Sequence, residues 1–346
     1  MRSITVVGAS LAGLRAVETL RRDGFDGTIT VVGDEDHRPY DRPPLSKQVL
    51  AGDWEVERVS LVRDAALDEL AVDWRLGTRA TGLDLAARTV ALDDGSSVGY
   101  DGLVITTGAR CMELPGIEAL AGVHTLRTLD DCLAIRADLE TTPRRVVVVG
   151  AGFIGAEVAA TVKGLGLDVT IVEMAAVPFE RILGAHMGEV CAAVHRDHGV
   201  DLRTGVGVAA IQGGDRVEKV VLDDGTELEA DVVVIGVGVR PNTEWLVDSG
   251  LVLDNGVVCD ETCLAAPGVV AAGDVARWPN SRFGEIMRVE HWDNAVEQGV
   301  HAARRLLSGQ PTPYTPVPWF WSDQFDRKIQ LAGRTRPDDQ IEVVTG

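Results

Sequence analysis

Two glycine-rich hexads have the residue types and spacing to cradle the pyrophosphate of a dinucleotide. Gly150-Ala151-Gly152-Phe153-Ile154-Gly155 is a full G-x-G-x-x-G. In such a loop the first glycine permits a tight turn, and the second lets backbone N–H groups approach the phosphates. The third lets helix and strand pack closely, with the positive helix N-terminus facing the anion. Gly8-Ala9-Ser10-Leu11-Ala12-Gly13 is the same hexad with Ser10 at the middle position. Serine is small and keeps its N–H, so a phosphate could still dock there. Glu173 follows the strand expected after the second hexad. A carboxylate there can accept hydrogen bonds from adenosine ribose hydroxyls and repel a 2'-phosphate, which favours NADH over NADPH. In the first copy the acidic candidates are Asp34 and Glu35, displaced by Gly33. A single hexad is as readily a plain strand-to-helix turn; two in context weigh against that reading.

The elements that must position these loops are legible around them. Strands are expected over Ser3–Val7 and Thr28–Val32 with a helix over 14–22 between them, and strands over 144–149 and 168–172 with a helix over 156–165 between them. A second repeat follows each. Leu92-Asp93-Asp94-Gly95, Asp101, Leu103-Val104-Ile105, Gly108 and Arg110 recur at constant offset as Leu222-Asp223-Asp224-Gly225, Asp231, Val233-Val234-Ile235, Gly238 and Arg240. Each half thus carries a βαβ unit, a hairpin turned at Asp-Asp-Gly and an apolar strand ending in glycine. This is a duplicated nucleotide-binding domain, since its period is too long for a solenoid.

Composition narrows the class. A chain of 346 residues, 45% hydrophobic, can bury more than one core and is expected to hold two or three domains. Its apolar runs are strand-length, too short to span a membrane. The N-terminus enters a strand with no signal-peptide core, so a cytoplasmic protein is expected. A formal net charge of -20 argues against nucleic acid as a partner. The five cysteines form no C-x-x-C pair and read as buried structural thiols, with no metal site expected. His195 and His198, beside Arg196 and Asp197, read as the solvated face of an amphipathic helix.

Further segments join the two hexads. They are Pro39-Tyr40-Asp41-Arg42-Pro43-Pro44-Leu45-Ser46-Lys47, Thr106-Thr107-Gly108-Ala109-Arg110, His124-Thr125-Leu126-Arg127-Thr128-Leu129-Asp130-Asp131, Val270-Ala271-Ala272-Gly273-Asp274-Val275-Ala276, Glu290-His291-Trp292-Asp293-Asn294-Ala295 and Trp319-Phe320-Trp321-Ser322-Asp323-Gln324. With these the chain resembles the flavoprotein pyridine nucleotide reductases of the glutathione-reductase-like fold, and most closely the NADH-dependent ferredoxin reductases that serve oxygenases.

The resemblance implies FAD on the first hexad, with Arg42 and Lys47 against the flavin and its phosphates. Lys47 would lie near the reactive edge of the ring, where a cation stabilises negative charge on reduced flavin. It implies further flavin contacts at Arg79 and Ala80 through backbone, at Thr107 and Gly108, and at Arg127. Thr106 replaces the usual alanine in the second of these segments. Gly273 and Asp274 would reach the ribityl chain, followed by a helix whose N-terminus faces the flavin. Glu290, His291 and Trp292 would reach the pyrimidine side, with His291 in place of the usual Ser or Thr. Trp321 or Trp319 would approach the ring. On the NADH side it implies Glu157 near the nicotinamide amide, Arg181 beside the adenosine, and Val237 with Gly238 under the nicotinamide. Each segment also has a plain reading: a Pro-rich surface turn, a Gly-Asp helix cap, or aromatic core anchors in a strand.

The expected fold is therefore α/β and glutathione-reductase-like, with two Rossmann-like nucleotide-binding domains, for FAD and NADH, plus a short, incomplete C-terminal α+β domain. The expected boundaries are 1–110 and 240–313 for the FAD domain, 111–239 for the NADH domain and 314–346 for the C-terminal domain, truncated relative to the family. The implied activity takes hydride from NADH onto FAD and passes single electrons to a two-iron ferredoxin that serves a haem monooxygenase or ring-hydroxylating dioxygenase. A rubredoxin reductase, an NADH oxidase or peroxidase, and an NADH-sensing signalling or scaffold flavoprotein are the alternatives. No cysteine precedes Cys111, which disfavours thiol-relay and cysteine-sulfenate chemistry. An acidic ferredoxin would need a local basic patch, for which Arg304, Arg305, Arg327, Lys328, Arg334 and Arg336 are candidates.

Overall fold

A computed structural model describes residues 1–114, 120–141, 143–336 and 339–344. The chain divides into two compact units, one made of Met1–Asp41, Val59–Arg110 and Arg240–Phe320, the other of Arg42–Arg58, Cys111–Val239 and Trp321–Gly346.

The first unit is built on a six-stranded sheet in the order Leu264–Ala266, Val269–Ala271, Gly102–Ile105, Ser3–Val7, Thr28–Val32, Val72–Arg75. All neighbours are parallel except the edge hairpin of Leu264–Ala266 and Val269–Ala271. Its central strands read as continuous apolar runs because both faces are covered: Ile4, Val6, Leu103, Val104, Ile29 and Val31 are all essentially inaccessible. Each such side chain contributes about 1.5–3 kcal/mol of burial free energy. After Thr28–Val32 forms beside Ser3–Val7, Gly102–Ile105 forms on the other side, so the strand order reverses at Ser3–Val7. In open α/β sheets ligands bind at the carboxyl ends of the strands at such a reversal.

The second unit repeats this plan. Its five-stranded sheet, in the order Asp201–Thr204, Asp168–Glu173, Arg145–Val149, Val232–Ile235, Val123–Thr125, is parallel throughout. The reversal falls at Arg145–Val149. Each unit also carries a three-stranded antiparallel sheet, Ala80–Asp84 with Thr89–Leu92 and Ser97–Gly99 in the first, Val208–Gly213 with Val217–Leu222 and Glu227–Glu229 in the second.

The duplicated aspartates have matching structural tasks. Asp101 accepts from the backbone N–H of Arg2 and Ser3, and Asp231 from those of Arg144 and Arg145, so each carboxylate anchors the start of a glycine-loop strand. Asp93 accepts from Arg79 N and Asp223 from Gly207 N, both at 3.0 Å, while Asp94 and Asp224 brace the hairpin turns through Ser96 N and Thr226 N, both at 2.8 Å. Side-chain to backbone bonds of this kind are what make aspartate a turn residue.

Both expected helices start too late. The first spans Leu11–Arg22 and the second Phe153–Gly164, so the last three residues of each glycine hexad are already helical. Glycine's low helix propensity hides this locally, and packing of Gly13 and Gly155 against the turns at Gly8 and Gly150 stabilises the helix there. No described helix is long and apolar enough to cross a membrane.

Candidate functional site

In the first unit, Gly8 turns the chain at φ +120°, and a Cβ there would overlap the carbonyl oxygen of Thr106. Its N–H donates to Val32 O at 2.8 Å. A Cβ at Gly13 would overlap the carbonyl of Gly8. Thr106, which stands in place of the family's usual alanine, braces the loop: its hydroxyl is placed to donate to the carbonyls of Val7 (3.1 Å) and Gly8 (3.0 Å). Ser10 occupies the N-cap position with extended backbone, and its side chain makes no cap hydrogen bond. The first-turn N–H groups of Leu11, Ala12 and Gly13 are therefore left for an anion, which is what a pyrophosphate requires.

The Gly273 turn lies beside this helix start. A Cβ on Gly273 would come within 3.1 Å of the Ala12 Cβ, and one on Gly299 within 2.6 Å of Ala12 O. Gln298, fully buried, accepts from Gly273 N at 2.9 Å and holds the turn in place. Nothing in its local sequence distinguished it. Asp274 sits in the 3-10 turn Gly273–Val275, but the helix expected to follow is instead the strand Ala276–Asn280. Three residues make one turn, and the Ala276–Asn280 segment is held by pairing to Glu285–Met287.

The same carboxyl edge carries Thr107, whose hydroxyl donates to Asn242 O at 2.8 Å, and Gly108 at φ +64°. Of the acidic candidates, Asp34 is exposed while Glu35 accepts a hydrogen bond from the Tyr40 hydroxyl. Arg79 N is bound by Asp93, and Ala80 opens the antiparallel sheet. Glu290 pairs with Arg288 at 2.7 Å. His291 occupies the N-cap position of the helix Trp292–Ser308 without a side-chain cap hydrogen bond, its ring 5.0 Å from that of Phe320, and Trp292 Nε1 donates to Asp41 at 2.7 Å.

In the second unit, Gly150 turns at φ +100°, its N–H donates to Val172 O at 2.8 Å, and a Cβ there would overlap the carbonyl of Gly236. A Cβ on Gly155 would overlap Gly150 O. Gly152 differs: its φ is −74°, and an added Cβ would meet nothing nearer than Gly236 O at 3.9 Å. Gly152 is the N-cap of Phe153–Gly164 and supplies no side-chain cap, so this helix start too is left to an anion. Glu173 accepts from Ala151 N (2.7 Å) and Ala175 N (2.8 Å), tying the loop to the next strand. Phe153 packs on Phe179 with ring centroids 5.0 Å apart, and Ile154 is about half exposed. Val237 and Gly238 (φ +112°) follow the strand Val232–Ile235, and the Gly238 carbonyl accepts from Met112 N. Arg181 is exposed in the first turn of Glu180–Asp197.

The second unit also gathers Lys47 and Glu157, more than a hundred positions apart, into an ion pair of 2.9 Å. Glu157, 4% exposed, projects from Phe153–Gly164 one turn beyond the glycine loop. Lys47 follows the 3-10 turn Pro43–Ser46, which is secured by Thr161 Oγ1 donating to Ser46 O and by Cys132 Sγ on Leu45 O. Arg42 at the head of that turn donates to the carbonyl of Arg127. Glu157 accepts further from Ser46 Oγ, Ser322 Oγ and the backbone N–H of Asp323. Trp321 precedes these last two in the strand Trp319–Gln324. Ser46 and Ser322 were not among the expected site residues, because a serine has no local signature of such a role.

His195 is a correction. It is not on a solvated face: it is 1% exposed, with Nε2 at 2.9 Å from Gln324 Oε1, and burial pushes its pKa down. The expected basic patch is largely engaged, with Arg304 on Asp23, Arg305 on Thr262, Arg327 on Asp326 and Lys328 on Asp323. Cys132, Cys191, Cys259 and Cys263 are buried, and burial pushes the thiols of Cys132 and Cys263 up to about 12. A thiol held protonated is a poor nucleophile. No cluster able to hold a metal ion occurs among the described residues.

Comparison with known proteins places this geometry. The family model described as pyridine nucleotide-disulphide oxidoreductase matches residues 2–299, and the one described as reductase C-terminal matches residues 319–345. Rhodocoxin reductase of Rhodococcus erythropolis is 40% identical over 349 residues, covering 99% of this chain and 81% of that protein. The biphenyl dioxygenase system ferredoxin–NAD(+) reductase component of Paraburkholderia xenovorans is 38% identical over 344 residues, covering 99% and 83%. The solved covalent putidaredoxin reductase–putidaredoxin complex matches with a TM-score of 0.93 at 35% identity, over 98% of this chain and 83% of that one. Two glycine loops at two sheet reversals, a match along most of the chain and relatives near 40% identity together make this chain a member of the pyridine nucleotide-disulphide oxidoreductase family.

Proposed function

We propose that this chain is an FAD-dependent NADH:ferredoxin reductase that takes hydride from NADH and delivers single electrons to a two-iron ferredoxin. The observation that carries this reading is the pair of helix N-termini without side-chain caps, one per unit, each at a strand-order reversal and each approached through a glycine a Cβ would obstruct. The relatives whose names specify ferredoxin–NAD(+) reductase components support the acceptor class, as does the putidaredoxin complex. The absence of any cysteine before Cys111 weighs against a peroxidase or oxidase that works through a thiol.

A bound flavin supplies the capacity to accept a hydride and release its electrons singly. The residues then have tasks of binding and orientation. In the first unit, the N–H groups of Leu11, Ala12 and Gly13 bind the flavin nucleotide's pyrophosphate, and the Gly273 turn, held by Gln298, presents Asp274 to the ribityl hydroxyls. In the second, the loop 150–155 binds the NADH pyrophosphate and Glu173 selects against a 2'-phosphate. Lys47, held by Glu157, provides the cation that stabilises developing negative charge at the reducible ring. Division into an FAD domain, an NADH domain and a C-terminal domain, and a cytoplasmic location suited to five unpaired thiols, belong to the same proposal.

The test is an anaerobic visible spectrum followed by stoichiometric NADH and then an oxidised two-iron ferredoxin under stopped flow. Bleaching of a flavin band with rapid recovery as ferredoxin is reduced is the expected result. A colourless protein that binds no FAD overturns the reading. A flavin that bleaches but persists as a reduced complex points to the signalling alternative.

A further inference from the structure

We propose that Ser322 is a positioning residue for the Lys47–Glu157 pair, and that it is the last link of a one-way hydrogen-bond chain that begins at His195. The inference rests on the reductase reading above and adds to it a part for the C-terminal strand. His195 Nε2 lies 2.9 Å from Gln324 Oε1, Gln324 Nε2 donates to Ser322 Oγ at 3.1 Å, and Ser322 Oγ donates to Glu157 Oε1 at 2.7 Å. Serine, glutamine and histidine here are at most 1% exposed, so no water competes for these bonds.

The direction of the chain follows from hydrogen-bond capacity. An ionised carboxylate only accepts, so Ser322 gives its one hydroxyl proton to Glu157 and must accept from Gln324 Nε2; the amide oxygen then faces His195, which must carry its proton on Nε2 to donate to it. The bare Nδ1 of His195 is buried with no partner. Burial also lowers the pKa of His195, which keeps the ring neutral and the second nitrogen unprotonated. A fold that leaves one ring nitrogen unsatisfied while the other completes this chain has fixed the tautomer.

At the far end, Glu157 Oε2 accepts from Ser46 Oγ and Lys47 Nζ, and Oε1 accepts from Ser322 Oγ and Asp323 N. An ionised carboxylate offers about four lone-pair sites. All are occupied, so Glu157 has no freedom to rotate and Lys47 Nζ is held with it. Removing the Ser322 hydroxyl frees one oxygen, lets the carboxylate turn, and lets the ammonium drift from the position the reducible ring requires.

The experiment compares wild type with Ser322→Ala, Ser322→Thr, Gln324→Leu and the Ser322→Ala/Gln324→Leu double variant. It reads NADH affinity, the rate of hydride transfer, the flavin midpoint potential and the melting temperature. Loss of one hydrogen bond to a buried charge is expected to slow hydride transfer about tenfold with NADH affinity unchanged. The midpoint potential should shift, and Ser322→Thr should restore both. Gln324→Leu should slow transfer less than Ser322→Ala and add nothing in the Ser322→Ala background, although the melting temperature falls further. In flavin-free protein, the imidazole nitrogen resonances of His195 should report the Nε2–H tautomer.

Wild-type rate and potential in both Ser322→Ala and Gln324→Leu overturn the inference, as do additive rate losses or an Nδ1–H tautomer. Should Ser322→Ala fail to fold, Gln324→Leu and Ser322→Thr decide the matter. A wild-type chain that takes up FAD and is bleached by NADH while the variants match it sinks only this inference. A wild type that binds no flavin sinks the reductase reading and this inference with it.

Discussion

The glycine loops at Gly8 and Gly150 perform the same turn with different supports. In both, the first glycine has a positive φ and the first and third would each drive a Cβ into a backbone carbonyl, so these positions are required by the fold. The middle residue differs. Gly152 has ordinary φ and room for a side chain, and Ser10 at the matching place has extended backbone, so the middle glycine answers to a ligand and not to packing. The braces differ as well: the first loop is held by the Thr106 hydroxyl, the second by the Glu173 carboxylate on Ala151 N. One hexad can thus mix steric and chemical requirements that look identical in the sequence.

The largest effects should come from the steric glycines. Gly13→Val and Gly155→Val each force a backbone shift, expected to cost about 3 kcal/mol or more. Melting curves and flavin content should show Gly13→Val depleted of FAD and Gly155→Val retaining flavin but unreactive to NADH; a stable, fully active variant at either site would break the assignment. Gly152→Val should instead leave the melting temperature near wild type and FAD bound while NADH reduction falls more than about a hundredfold, because a branched side chain stands where the pyrophosphate must approach. If Gly152→Val unfolds, the distinction between steric and chemical glycines is wrong.

Asp274→Ala is expected to weaken FAD retention about tenfold, consistent with losing one charge-assisted hydrogen bond; gel filtration with flavin quantitation measures it, and a fully loaded variant contradicts the role. Glu173→Ala should relax the preference for NADH over NADPH by about tenfold and lower stability by about 1 kcal/mol, since Ala151 N and Ala175 N lose their acceptor. Steady-state kinetics with both cofactors decide this, and unchanged selectivity refutes it.

The smallest difference compares the duplicated anchors. Asp101 titrates below the usual carboxylate range because Arg2 and Ser3 N–H groups bind it. For Asp231 burial pushes upward, but the Arg145 guanidinium and the N–H groups of Arg144 and Arg145 outweigh it and hold the pKa down. A carboxyl with a depressed folded pKa adds stability above its unfolded value, near pH 4, and loses it as the pH falls through the folded value. Asp101→Asn and Asp231→Asn should therefore melt below wild type at neutral pH and converge on it in acid. Denaturation across pH 2–7 tests this, and a gap that widens in acid reverses the sign.

Most of the fold was legible because its signals are local. Ser3–Val7, Thr28–Val32 and the strand ending at Glu173 are β-branched runs, and the Asp-Asp-Gly turns announce themselves. Helix starts were missed because glycine at positions 13 and 155 argues against helix locally, yet each packs against its own strand turn. His195 was misplaced since its neighbours Arg196, Asp197 and His198 are exposed, and one buried position on a polar helix stretch is invisible to composition. The segment after Asp274 reads as a helix in the sequence because a Gly-Asp pair is a common helix cap, whereas here the pair forms a single 3-10 turn that leads into a strand.

By itself the sequence determined the two βαβ units, their glycine turns and the Asp-Asp-Gly hairpin turns, since each depends on residues a few places apart whose spacing is set by backbone geometry. The tertiary structure alone decided that Lys47, Glu157, Ser322, Gln324 and His195 meet: these partners are joined across separations of 110, 165 and 129 positions, and contacts so distant leave no period, cap or turn for the sequence to display.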